Sequence, residues 1–140
     1  TALREDVVLQ GDMMGPEARE SLMVAPYLGG CAIATSYVGL VHPLSAGLSV
    51  VLGLHHCIAN CIVMRAMKPF YPQGYELFWK MAEKQDIVIP EGVCAECSDT
   101  QFDALYEASI VHEKPLTNAL GENFRDILTP DYVKSLFKAM

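Results

Sequence analysis

The chain is poor in positive charge: ten Lys and Arg stand against seventeen Asp and Glu, a net charge of −7. The ten cations are scattered, with no basic cluster, which argues against nucleic acid or an anionic membrane as a partner. An unbroken apolar run is also missing. A membrane-spanning helix needs about 20 apolar residues, and the longest apolar stretch, Cys31 to Met64, is interrupted by His42, Pro43, Gly47, Gly53, His55, His56 and Asn60. That stretch is expected to be buried protein core. Period-two alternation is rare and the β-branched residues are dispersed, which disfavours a sheet. No charged segment followed by an apolar core and a small-residue cleavage site is visible. Five cysteines make an odd set (Cys31, Cys57, Cys61, Cys94 and Cys97). Together these point to reduced thiols and a cytoplasmic location.

What is present suits one helical domain over residues 1–140. About half of the residues are apolar, and a chain this long can bury roughly 70% of its unfolded surface. Gly and Pro punctuate apolar segments of helical length, so the expected fold is all-α. Thr1 to Gln10 reads as the end of a helix cut off at its start. Pro16 suits the first turn of a long helix to about Val38. Leu22, Ala25, Leu28, Gly29, Ala32 and Ile33 form its apolar stripe, and Pro26 inside it predicts a bend. Further helices are expected from Pro43 to about Leu52, Cys57 to about Phe70, Tyr75 to Lys84 and about 100–112. Ser98 or Asp99 is the N-cap of the helix over 100–112. Residues 115–123 read as turn-rich. Thr129-Pro130-Asp131 supplies an N-cap, a proline at the first helical position and an acid in the first turn of a last helix to Met140.

The chemistry-bearing residues concentrate at two helix breaks. His42 and His56, fourteen positions apart, each sit beside one. Neutral imidazole is the commonest metal ligand, and two facing joints can present two ring nitrogens to one ion. A packed, hydrogen-bonded histidine pair explains the same residues without a metal. Other features have plainer readings. Cys94-Ala95-Glu96-Cys97 has the CxxC spacing of zinc or redox sites, but no second CxxC follows and a loop with incidental thiols accounts for it. Cys57 and Cys61, one helical turn apart, read as small core residues. His112 reads as a surface or helix-end residue, and His55 as a core neighbour supporting the pair. Phe70, Tyr71, Tyr75, Phe78 and Trp79 read as one packed aromatic cluster.

Several stretches are shared with one family: Tyr27-Leu28-Gly29-Gly30, Ser36-Tyr37-Val38-Gly39, His42, Gly47-Leu48, Val51-Leu52-Gly53, His55-His56, Asn60-Cys61-Ile62, Phe70-Tyr71-Pro72, Gly74 and the tail from Thr129 to Phe137. On these the chain, from about Glu20 to its end, resembles the C-terminal helical domain of the iron-containing (group III) alcohol dehydrogenases, most strongly their 3-deoxy-octulosonate 8-oxidase-like branch. The resemblance implies a helical bundle beside an N-terminal nucleotide-binding domain, with Fe(2+) or Zn(2+) and NAD(P) as cofactors. It places His42 and His56 at the last two metal-ligand positions. An aspartate and another histidine, which the family carries upstream, have no counterpart after Thr1, nor does a glycine-rich phosphate loop. A position where many members carry a further histidine is Ala46, and a common glycine after the last ligand is Cys57.

The expectation is therefore a bundle incomplete at its N-terminus, inactive as an isolated chain, with no catalytic residue assigned and its cofactors those of the full-length family. Two other readings stand beside it: a fragment or subunit of an active alcohol oxidoreductase, and a non-enzymatic self-associating module. Expected partners are a second copy of the chain or a missing N-terminal nucleotide-binding domain, since lost upstream helices would leave apolar surface uncovered.

Overall fold

Helix signals written into the sequence are read out where they were expected. The computed structural model describes Leu9 and residues 15–140. The expected helix over Thr1 to Gln10 lies outside the described residues, Leu9 excepted. The described part is all-α: α1 (Pro16–Ser36), α2 (Val41–Leu52), α3 (His56–Val63), a 3-10 turn (Met64–Ala66), α4 (Pro72–Lys84), α5 (Asp99–Ile110), α6 (Glu113–Leu120), α7 (Phe124–Ile127) and α8 (Pro130–Lys138). No strand occurs among the described residues.

The molecule divides into two compact units. One runs to Tyr37 and takes in Glu76–Val88. Here α1 starts as expected, with extended Gly15 as N-cap and Pro16 in its first turn. It ends at Tyr37, whose φ of 59° breaks the helix while its N–H still donates to the Ile33 carbonyl. None of its residues is buried. Met23, Tyr27, Leu28 and Ile33 of α1 are each more than half exposed, so the predicted apolar stripe meets no core. In the same unit Phe78 and Trp79 pack edge to face, centroids 5.3 Å apart.

The second unit, Val38–Tyr75 with Ile89–Met140, holds the core. Helix α2 lies centrally, packed on α5 and α3, while α8 packs on α5. Leu44 and Leu48 of α2, Leu105 of α5 and Phe137 of α8 are almost wholly buried. Close approach of α2 and α5 requires Gly47. A β-carbon there would lie 2.5 Å from Ser109 Oγ and 3.1 Å from the Leu105 carbonyl. Gly53 ends α2 in the left-handed conformation, φ 68°, which glycine adopts without steric cost. The Arg65 guanidinium joins distant segments, donating to the Ile89 and Pro90 carbonyls at 2.7 and 2.9 Å. A capping box of Ser98 and Gln101 opens α5, and the Thr129 hydroxyl caps α8 ahead of Pro130.

Three expectations are corrected. Residues 113–120 form helix α6 rather than turns. Pro115 sits in the first turn, where its missing N–H costs nothing, and burial of Leu116 holds the helix against the unit. Cys57 and Cys61 are not core residues: Cys57 is exposed and Cys61 half-buried. The helix expected to reach Phe70 ends at Val63 and tightens into the 3-10 turn. Phe70 packs against Tyr132, Tyr71 hydrogen-bonds Leu40, and Tyr75 lies beneath the Lys68 ammonium.

Candidate metal centre

The start of α2 is held from below. Leu40, fully buried, donates its N–H to the Tyr71 hydroxyl at 3.1 Å. That hydroxyl lies close enough to Gly39 that a β-carbon there would sit 2.8 Å away. His42 is then the second residue of α2, with Pro43 behind it in the first turn, and the Ser45 hydroxyl donates to the His42 carbonyl at 2.9 Å. The helix therefore fixes the His42 backbone through contacts on both sides.

His56 arrives from the other break. Gly53 turns the chain, His55 becomes the N-cap of α3, and His56 is its first residue. Nδ1 of His55 accepts the Cys57 N–H at 3.4 Å, and its ring is exposed. The expected supporting role for His55 is thus a cap on α3 and not a core contact.

The two breaks bring His42 and His56 together. His42 Nδ1 and His56 Nε2 are 3.2 Å apart and half-buried. The rings meet edge to face with centroids 4.9 Å apart. His112, the N-cap of α6, also approaches His42, its ring centroid 5.7 Å from that of His42 at an interplanar angle of 73°. Burial holds the His42 imidazole below its usual pKa, helped by repulsion from His56 and then His112. The sequence reading placed His112 at a helix end but missed its approach to His42. Seventy positions separate the two, and no periodicity links them.

A nitrogen–nitrogen separation of 3.2 Å admits two chemistries. Without an ion, one ring donates its N–H to the other's lone pair. With an ion, two nitrogens about 2.0–2.1 Å from a tetrahedral centre lie about 3.4 Å from each other. The observed 3.2 Å is close to that spacing, so the donor pair fits a transition metal. Among the described residues no group of three or more His, Cys, Asp or Glu side chains is arranged to hold a metal ion. The pair by itself supplies two nitrogen donors, fewer than the four ligands of a closed tetrahedral site.

The other chemistry-bearing side chains singled out are thiols. Cys94 and Cys97 are free thiols. Burial, with the charge and hydrogen bond of Cys97, pushes the Cys94 thiol up to about 12. Burial raises the Cys61 thiol, with a smaller contribution from Cys57. No strand and no strand-to-helix glycine loop occurs among the described residues. No single described helix is long and apolar enough to cross a membrane.

No family model matches the chain. Among curated proteins, it is 28% identical over 120 residues to the methanol:N,N-dimethyl-4-nitrosoaniline oxidoreductase of Rhodococcus erythropolis. It is 26% identical over 120 residues to the protein of the same name from Mycobacterium sp. (strain DSM 3803 / JC1). Each alignment covers 85% of this chain but 27% of the relative. The chain thus spans about a quarter of the length of the curated relatives it matches. The relation is distant and places the chain among relatives of alcohol-type oxidoreductases.

Proposed function

We propose that this chain is the helical, metal-ligating region of an iron-type, metal-dependent alcohol oxidoreductase, with His42 and His56 as two of the ligands to Fe(2+) or Zn(2+). The observation that carries this is the 3.2 Å approach of His42 Nδ1 to His56 Nε2 across two helix breaks. The relatives named above support it, being oxidoreductases of alcohol type, and the shared stretches favour the 3-deoxy-octulosonate 8-oxidase-like branch.

A metal bound there would act as a Lewis acid, polarising a substrate hydroxyl and easing its deprotonation. The chain's own contribution is structural. α2 and α3 hold the two rings, and partial burial of His42 favours the neutral, lone-pair-bearing imidazole. The other ligands and an NAD(P) site would belong to an N-terminal nucleotide-binding domain, and the isolated chain would not oxidise alcohols. In a protein that contains this region, His42→Ala and His56→Ala should each remove metal and alcohol oxidation together. In the isolated chain, each should weaken Co(2+) binding at least tenfold by calorimetry. Unchanged affinity in both variants would sink the reading.

A second reading rests on α1. Its exposed Met23, Tyr27, Leu28 and Ile33 favour a self-associating, non-enzymatic module. Light scattering of the purified chain tests it: a dimer supports the reading, and a monomer at all concentrations refutes it.

A further inference from the structure

The terminal torsion of a histidine side chain is broad and close to two-fold. Half a turn about it exchanges Nδ1 for a carbon, so the plane and flip of the His42 ring are not settled by its rotamer. They are settled by what touches the ring, and two imidazoles do. His56 faces Nδ1 at 3.2 Å. His112 meets the ring at a centroid distance of 5.7 Å and an angle of 73°, within the range of favourable edge-to-face pairs.

His112 is itself firmly placed. Its N–H donates to the carbonyl of buried Ser109 at 3.3 Å, and its carbonyl accepts from buried Leu116 at 3.2 Å. It therefore hangs between α5 and α6, both of which pack on α2. Its side chain makes no capping hydrogen bond to α6, so helix capping does not explain a half-buried imidazole at this position.

We infer that His112 is a positioning residue for the His42–His56 pair: its ring, edge-on to His42, holds the His42 imidazole in the orientation that turns Nδ1 toward His56. The inference rests on the metal reading above for its purpose, but its geometry exists without a metal. Nothing in the reading needs His112 to touch the ion. The ring contact, rather than a nitrogen of His112, does the positioning. An aromatic edge without nitrogens should therefore serve, and a methyl group should not.

The test uses the purified chain with His112→Ala and His112→Phe, each first shown by circular dichroism to keep its helix content. Two readouts follow. Co(2+) titration by calorimetry should give about a tenfold weaker affinity for His112→Ala and an affinity within twofold of the parent for His112→Phe. Long-range proton–nitrogen spectra of the metal-free chain should show the His42 ring signals shifted or averaged in His112→Ala and dispersed as in the parent in His112→Phe. If His112→Ala keeps the parent affinity and His42 signals, positioning is refuted while the metal reading stands. Equal losses in both variants also overturn it, because a nitrogen of His112 would then be required. If the parent chain binds no Co(2+), the ring spectra decide alone: His42 signals that respond to His112→Ala but not to His112→Phe support the positioning, and signals that stay as in the parent in His112→Ala refute it. A His112→Ala chain that does not fold leaves the His112→Phe result decisive: loss of affinity or of the parent His42 signals refutes the inference.

Discussion

Substituting Gly47 by alanine tests the packing that carries the candidate centre. Alanine is the better helix former by about 1 kcal/mol, so on an isolated helix the change would stabilise. In the folded chain the new methyl would lie 2.5 Å from Ser109 Oγ, 3.1 Å from the Leu105 carbonyl and 3.5 Å from Phe137 Cζ. The carbonyl is backbone inside α5 and cannot turn away. Ser109 can rotate, but its hydroxyl donates to the Leu105 carbonyl at 2.7 Å in a buried setting, and leaving it unpaired costs about 1–3 kcal/mol. Overpacking that pushes α2 from α5 costs a similar amount. After the propensity gain, the net loss is about 1–2 kcal/mol. For a chain of 140 residues the unfolding entropy is about 0.3 kcal/mol/K, so Tm should fall by about 3–7 °C. Thermal and urea melts of Gly47→Ala measure this. The double variant with Ser109→Ala removes the nearest clash and should recover about half of the loss. A Tm for Gly47→Ala equal to or above the parent's would refute the close approach of α2 and α5, and with it the frame that sets His42.

Tyr71→Phe should lower stability by about 1–2 kcal/mol in urea melts, because the buried Leu40 N–H loses its acceptor; Co(2+) affinity should fall with it as the start of α2 loosens. Alkylation at pH 8 followed by intact and peptide mass should label the exposed Cys31 and Cys57 first. Buried Cys94, its thiol near 12, should be labelled last, since only about 10⁻⁴ of it is thiolate at that pH. His42 is held below its ordinary value of 6.5, so the unfolded chain takes up its proton first on acidification. Its contribution to stability is complete above pH 6.5 and is lost as pH falls toward the lowered folded value. The Tm of the parent should therefore drop between about pH 7 and pH 5 more than that of His42→Gln, and an equal drop in both would contradict the shift.

Much of the fold is legible locally. Thr129-Pro130-Asp131, Ser98 with Gln101 and Gly53 mark helix ends with groups that act within four residues, and each works as written. The same holds for Pro16 and α1. The His42–His56 pair is marked by its place beside two helix breaks and by the family resemblance, whereas spacing alone leaves a packed pair and a ligand pair both open. By contrast, α6 is decided at a distance. Residues 113–120 carry turn-forming types, and it is burial of Leu116 that keeps them helical. Cys57 and Cys61 follow helical spacing but face outward, since spacing gives a face and not what covers it. His112 reaches His42 only because α5 and α6 both pack on α2. The sequence by itself determined an all-helical chain and its principal caps, because those depend on neighbours along the backbone. Tertiary structure alone decided which faces are covered and which imidazole stands against His42, because both depend on long-range packing that no local pattern encodes.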